Sequence, residues 1–250
     1  MRFVTLLFTC CLASTAFADE VKVPTISTED LIVRMKTGST PGHAFAVVDV
    51  RSRVEFEEAH LPGAIRIPVS QAAKLLPKAI PDQKTDLVFY CNGPKCGKSA
   101  DAARQALTLG YKKVRDYNEG MPGWARASQR VAGTPLPQVE IPRVGVAELQ
   151  SEIQAGKAPM IIDLRDPSEY QSYHLAGAVN IPLDEVEKRV AEIPASSDVV
   201  LACHAGQQSL LGGRLLNKLG RKWIKMLDGG ILAWREHGLP VEAKPLAQAP

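Results

Sequence analysis

Apolar residues in this chain come in short runs of four to six, set apart by longer amphipathic stretches. Residues 45–50, 86–90 and 114–117 are such runs, as expected of strands buried on both faces of a sheet. Between them the pattern turns helical. Ser27 can cap a helix that carries Leu31, Ile32 and Met35 and stops near Gly38. A second helix is expected over 99–109, stopped by Gly110. The same order follows later: runs at 160–164 and 199–202, a helix over 209–219 stopped by Gly220, and a run at 223–227. Strands that alternate with helices predict an α/β fold, a parallel sheet flanked by helices on both faces.

The later half repeats the earlier one in its residues as well. Val47-Val48-Asp49-Val50-Arg51 returns as Ile161-Ile162-Asp163-Leu164-Arg165, and His60-Leu61-Pro62-Gly63-Ala64 as His174-Leu175-Ala176-Gly177-Ala178, both 114 positions on. Cys91 matches Cys203 at an offset of 112, and Ser99 with Ser209 and Trp124 with Trp234 at 110. The drift falls in loops. A period this long is a duplicated domain rather than a solenoid repeat. The two domains are expected over 21–127 and 141–244. The connection at 128–140 holds Gly133-Thr134-Pro135-Leu136-Pro137, stiff by composition, and the tail beyond 244 is expected to fray.

Residues 1–18 follow a different logic. Arg2 is a short positive region, residues 3–12 are apolar but too few to span a bilayer, and Ala16-Phe17-Ala18 is a small-x-small cleavage site. The reading is a secretory signal peptide, and a periplasmic or secreted protein with no membrane association after cleavage. Cleavage removes Cys10 and Cys11 and leaves Cys91, Cys96 and Cys203. That is too few for a disulfide scaffold, and the odd count suggests a free thiol. The whole chain of 250 residues is 45% hydrophobic and 23% charged, which excludes wholesale disorder and a multispan membrane protein. A net charge of +3, with no long basic run, gives no reason to expect a nucleic-acid partner.

Chemistry is expected where each buried strand meets the next helix. The run ending at Tyr90 leads straight into Cys91, and the run ending at Ala202 into Cys203. A Gly-containing loop and a helix start follow in both cases. Ligands of open α/β sheets bind beyond the carboxyl ends of the strands, where such a loop aims backbone N–H groups and the helix dipole. A thiol placed there should ionise more easily and act as a nucleophile. One cysteine alone reads as an inert strand end; the same arrangement twice argues for use.

At this point the residues resemble a known family. Asp163-Leu164-Arg165-Asp166 with His174-Leu175-Ala176-Gly177-Ala178-Val179-Asn180-Ile181-Pro182 is similar to the first signature of rhodanese (sulfurtransferase) domains. The loop Cys203-His204-Ala205-Gly206-Gln207-Gln208-Ser209 resembles that family's C-x-x-G-x-R/K-S/T loop, and Asp228-Gly229-Gly230 with Trp234 its closing G-G-x-x-x-W. The resemblance implies two tandem rhodanese-like domains and ping-pong chemistry. A catalytic Cys takes sulfane sulfur from a small anion such as thiosulfate, then passes it from the persulfide to cyanide or a thiol. No cofactor is implied.

Two departures bear on the site. Gln208 stands where many active loops carry Arg, so anion binding at Cys203 is left to N–H groups. The first loop, Cys91-Asn92-Gly93-Pro94-Lys95-Cys96-Gly97-Lys98-Ser99, is two residues longer and resembles a C-x-G-P-x-C variant. Lys95 and Lys98 could hold an anion there and stabilise departing sulfite. A longer loop also suits phosphate chemistry, but neither loop holds an Arg for a bidentate phosphate clamp. Cys96 reads either as a resolving thiol for Cys91 or as loop filler. Its spacing is not C-x-x-C, and no second Cys/His pair lies near it to complete a zinc site. His60 and His174 read as structural, Asp49 with Arg51 and Asp163 with Arg165 as internal pairs or loop braces, and Trp124 and Trp234 as packing residues. The leading function is an exported sulfurtransferase. The alternatives are a thiol redox or sulfur-carrier module built on Cys91 and Cys96, and a non-catalytic binding protein.

Overall fold

The computed structural model describes residues 21–38 and 44–243. The segment read as a signal peptide and the tail from 244 lie outside the described residues. The first half runs α1 (Thr28–Thr37), β1 (Phe45–Asp49), α2 (Arg53–Glu58), β2 (Ile65–Arg66), α3 (Ala72–Ala79), β3 (Asp86–Tyr90), α4 (Lys98–Thr108), β4 (Lys113–Tyr117) and α5 (Gly120–Arg126). The second runs β5 (Arg143–Val144), α6 (Val146–Gln154), β6 (Met160–Asp163), α7 (Pro167–Ser172), β7 (Val179–Asn180), α8 (Val186–Arg189), β8 (Val199–Ala202), α9 (Gln207–Lys218), β9 (Ile224–Leu227) and α10 (Gly230–Glu236).

Each half is a parallel sheet flanked by helices, as the alternation of runs predicts. The strand orders are β2-β1-β3-β4 and β5-β9-β8-β6-β7. The topologies coincide, because a single parallel bridge from Thr25 to Asp116 stands in the first half where β5 pairs with β9 in the second. The central strands β3 and β8 are buried along their whole length, which is why their sequences do not alternate. Every sheet has an apolar cluster on each face. Val48, Phe89 and Ala102 lie on one side of the first, and Val47, Val88 and Trp124 on the other.

Element ends depart from the sequence reading for local reasons. Strand β1 stops at Asp49, one residue early, because the Asp49 carboxylate turns back to accept from the Arg51 N–H at 2.9 Å. Asp163 does the same to Arg165 at 3.0 Å. Helix α1 starts and stops as its caps demand, with Ser27 Oγ accepting from the Asp30 N–H and Gly38 at φ +63°. Helices α4 and α9 open at Lys98 and Gln207, ahead of the serines expected to begin them. The cap of α9 is Gly206, left-handed at φ +97°.

The two halves are fastened by α2. Val54 lies in the second half's core with Leu183, Leu211 and Leu215. The Asp184 carboxylate accepts from the N–H groups of Arg53 at 2.7 Å and Val54 at 3.0 Å, capping α2 from across the interface. The Pro-containing connection is strapped to the same helix. Thr134 N–H donates to the Glu57 carbonyl and Leu136 N–H to Glu58 Oε2, both at 2.6 Å. Leu136 and Val139 then cover the core that Val54 entered. Among the described residues no helix is long and apolar enough to cross a membrane.

Candidate active site

Cys91 and Cys203 sit one residue past β3 and β8, each buried, each under the start of the following helix. Cys203 Sγ accepts from the Gly206 N–H at 3.1 Å and the Ser209 N–H at 3.4 Å. Cys91 Sγ lies 3.4 Å from Ser99 Oγ and 3.0 Å from the Cys96 carbonyl oxygen, to which the neutral thiol donates. Backbone N–H groups of Gly93 and Ser99 also reach this sulfur. Each loop is pressed from behind by a glycine. A Cβ on Gly120 would overlap the Cys91 carbonyl oxygen, and one on Gly230 the Cys203 carbonyl oxygen. The first loop is further anchored by the Met121 N–H to the Cys91 carbonyl at 3.1 Å, the second by the Ile231 N–H to the Cys203 carbonyl at 2.9 Å.

The two thiols differ in charge state. A hydrogen bond from the Cys96 thiol, opposed by burial and helped by Ser99 and Gly93, brings Cys91 down to about 7. Cys96, giving that hydrogen bond, is pushed up. At Cys203 burial is the largest influence and outweighs the bonds from Ser209 and Gly206, so its thiol is raised. The expected easy ionisation therefore holds for Cys91 and fails for Cys203. Without a polar side chain donating to it from a cation or a second thiol, the backbone donors do not offset desolvation.

A carboxylate that the sequence reading passed over supports the first loop. Glu55, buried on α2, receives Ser52 N–H at 3.2 Å and Ser52 Oγ at 2.8 Å, forms a capping box with it, and also receives Asn92 Nδ2. Burial opposes its charge, but Arg51, Lys98 and the bonds from Asn92 and Ser52 hold it below the usual carboxylate range. Asn92 completes the brace by accepting from Arg51 Nη1 at 3.5 Å, and Arg51 is locked onto Asp49 at 2.6 Å.

The second half does not satisfy itself in this way. His204 takes the place of Asn92 and Asp166 that of Ser52. Arg165 pairs with Asp163 as expected, at 2.6 Å, but its Nη1 is buried without a hydrogen-bond partner. The acidic pair Asp166 and Glu169 is met from the other domain: Lys98 Nζ lies 2.8 Å from Asp166 Oδ2 and 2.7 Å from Glu169 Oε2. Burial works against the Lys98 charge, and these carboxylates with Glu55 more than restore it. By the same pseudo-symmetry Gln208, the counterpart of Lys98, crosses to donate to Glu55 Oε2 at 3.1 Å.

These contacts correct one expectation. Lys98 is not free to hold an anion, because two carboxylates already neutralise it. The Gln208 amide is bound to Glu55, so an Arg there would meet that carboxylate first. Lys95 is the exposed cation of the first loop, and it makes no ion pair among the described residues. Burial holds the His204 imidazole below its ordinary value, outweighing the pull of Glu169, so it is neutral near pH 7.

The two loops read as separate sites therefore face each other. They wall one cleft of about 860 Å³ between the domains. Asn92, Lys95, Cys96 and Lys98 contribute from one side, and Cys203, His204, Ala205, Gln207 and Gln208 from the other. Gly93, Ser99, Gly206 and Ser209 lie around the sulfurs instead. The remaining expectations for side chains are met structurally. His60 and His174 bond the carbonyls of Phe56 at 2.7 Å and Tyr170 at 2.8 Å. Trp124 and Trp234 are buried and donate to the carbonyls of Arg130 and Pro240. Among the described residues no group of three or more His, Cys, Asp or Glu side chains is placed to hold a metal ion.

Both halves match one known family. The profile of the family described as Rhodanese-like domain matches residues 27–127 and again 145–237. A protein named putative sulfur carrier protein YrkF, from Bacillus subtilis (strain 168), is 26% identical over 164 residues, which is 63% of this chain and 85% of that one. A sulfurtransferase of Allochromatium vinosum is 34% identical over 84 residues, 34% of this chain and 78% of its own. Thiosulfate sulfurtransferase PspE of Escherichia coli (strain K12) is 40% identical over 70 residues, 27% of this chain and 67% of its own. Among solved structures, thiosulfate sulfurtransferase from Pseudomonas aeruginosa superposes with a TM-score of 0.45 at 24% identity; the match covers 89% of this chain and 44% of that one.

Proposed function

The chain belongs to the rhodanese-like domain family through both of its halves, and from that membership we propose that it is a sulfurtransferase in which Cys91 and Cys203 each carry sulfane sulfur as a persulfide. The observation that carries this is the repeated placement of a strand-end sulfur under backbone N–H groups, with Gly206 and Ser209 donating to Cys203 and Gly93 and Ser99 to Cys91. The named sulfurtransferases among its relatives support the same chemistry.

The thiolate attacks the outer sulfur of a donor such as thiosulfate. A new S–S bond forms to the cysteine, the donor's S–S bond breaks, and sulfite leaves with the electron pair. The negative charge then sits on the terminal sulfur of the persulfide, where the N–H groups and the helix N-terminus favour it. Attack by cyanide or a thiol on that terminal sulfur returns the cysteine thiolate. Lys95 supplies an exposed positive charge at the cleft to draw the donor anion in. In the first domain the nucleophile is about half ionised at neutral pH; in the second it must lose a proton as the donor arrives. Mass spectrometry of wild type, Cys91→Ser and Cys203→Ser after thiosulfate treatment tests the assignment. A gain of about 32 Da on Cys203 in Cys91→Ser, with sulfite released by both single variants, is expected. No sulfite from either variant would remove the sulfurtransferase reading.

A further inference from the structure

The first loop holds a second thiol that the transfer cycle does not use. The chain turns back on itself there: the Cys96 N–H closes onto the Gly93 carbonyl at 2.9 Å, with Gly93 at φ +110°. That turn, through Pro94 and Lys95, brings Cys96 over Cys91. The Cys96 carbonyl lies 3.0 Å from Cys91 Sγ, and the two thiols are near enough to shift each other's ionisation in opposite directions. Cys91 is 1% exposed, whereas Cys96 is half-buried and walls the interdomain cleft. Both are free thiols. The second domain has no counterpart. Its loop is two residues shorter, and Cys203 has no second cysteine in it.

We propose that Cys96 resolves the Cys91 persulfide, so that the first domain releases its sulfur as hydrosulfide while the second retains it for transfer. This deepens the preceding reading and rests on Cys91 taking up sulfur. Cys96 Sγ attacks Cys91 Sγ and a Cys91–Cys96 bond forms. The bond from Cys91 to the outer sulfur breaks, and its electron pair leaves with that sulfur. The proton of the Cys96 thiol passes to the departing sulfur, which leaves as HS⁻. Together with the first step, thiosulfate becomes sulfite and hydrosulfide, and the two cysteines supply the two electrons. A further turnover needs an external dithiol to reduce the Cys91–Cys96 bond, and Cys96 on the cleft wall is the sulfur such a reductant reaches.

The Cys96 proton serves the second stage. Once Cys91 carries sulfur, it accompanies the leaving group. Attack falls on the inner sulfur because the turn through Pro94 and Lys95 sets Cys96 against Cys91 Sγ itself.

The test uses full-length Cys203→Ser protein, reduced, freed of reductant and kept without oxygen, then given excess thiosulfate. Sulfite and bimane-trapped sulfide are measured, and the loop peptide is weighed without reduction. Sulfide is expected in equal amount to sulfite, with the peptide lighter by about 2 Da. Adding Cys96→Ser should slow sulfite release at neutral pH without abolishing it, abolish sulfide, and leave about 32 Da on Cys91. Sulfur retained on Cys91 with Cys96 present, or found as a persulfide on Cys96, overturns the proposal while leaving sulfur uptake intact. No sulfite from either protein means that Cys91 takes up no sulfur, and the first-domain reading falls together with this one.

Discussion

Cys91 and Cys203 occupy equivalent positions under equivalent donors, and one extra thiol separates their chemistry. The Cys96 hydrogen bond brings Cys91 to about 7, while burial raises Cys203 above the ordinary 9.0. Thiolate is the attacking form, so each site loses activity as pH falls through its own value. In Cys203→Ser the rate of sulfite release should be half-maximal near pH 7 and reach its plateau above about pH 8, standing about tenfold lower one unit below the midpoint than at the plateau. In Cys91→Ser the rate should still be climbing at pH 9. Stopped-flow measurement of sulfite release across pH 5–10 checks both; coincident profiles would show that Cys96 does not set the ionisation of Cys91. The two strand-end cysteines proposed as nucleophiles were legible in the sequence because each ends a buried run. Glu55 was not. Its signal was the spacing Ser52 to Glu55, which reads as a helix cap. Nothing in that spacing says that the carboxylate also receives Asn92 from the active loop and Gln208 from the other domain.

Among the elements, the buried strands and the long helices were readable to within a residue or two, since burial on both faces leaves runs without polar breaks. The two-residue strands β2, β5 and β7 and the six-residue helices α2 and α7 were not, because two residues show no repeated alternation and six make fewer than two helical turns. The glycines that open α5 and α10 show an element positioning chemistry from behind. Gly230 has φ +64°, and a Cβ there would also lie 2.7 Å from the His204 carbonyl oxygen. Gly230→Ala adds left-handed strain to a clash with backbone that cannot swing away. It should destabilise the protein by about 2–4 kcal/mol, lowering Tm by roughly 4–12 °C. Calorimetry measures that loss. Because the displaced carbonyls belong to the Cys203 loop, sulfite release in Cys91→Ser background should fall with it, while the Cys91 site in Cys203→Ser background keeps its rate below the melting transition. An alanine variant as stable as the parent would show that the loop has room to retreat.

At the scale of the molecule, the domain interface is what the two loops share. It is closed on one side, where Val54 enters the second core and Asp184 caps α2, and open on the other, where the cleft lies. Lys98 spans that opening. Its side chain is 15% exposed, against 29% for Asp166 and 28% for Glu169, so the cluster is partly screened and weaker than a fully buried one. Lys98→Met leaves two neighbouring carboxylates without a cation. A loss of about 1–3 kcal/mol is expected in urea unfolding at pH 7. Lys98→Arg, which keeps the charge, should recover at least half of it. Equal losses in the two variants would mean that the methylene stem, rather than the ion pair, holds the cleft. Glu55 also loses a supporting positive charge in Lys98→Met.

By itself the sequence determined the duplication, the parallel α/β fold of each half and the two strand-end cysteines, because each is written in residues close along the chain or repeated at a fixed offset. Local pattern carries that information: a buried run, a cap, a glycine after a helix. The tertiary structure alone decided how the repeats meet. It placed both loops on one cleft, turned Lys98 from an anion holder into a cross-domain ion partner, occupied Gln208 with Glu55, and gave two alike cysteines opposite shifts. The cross-domain contacts depend on distances between residues more than sixty positions apart, and the cysteine shifts on how much water each sulfur loses and which donors its own loop folds onto it. Residue identity sets what a side chain can do, and only the packed neighbours set what it has left to offer a substrate.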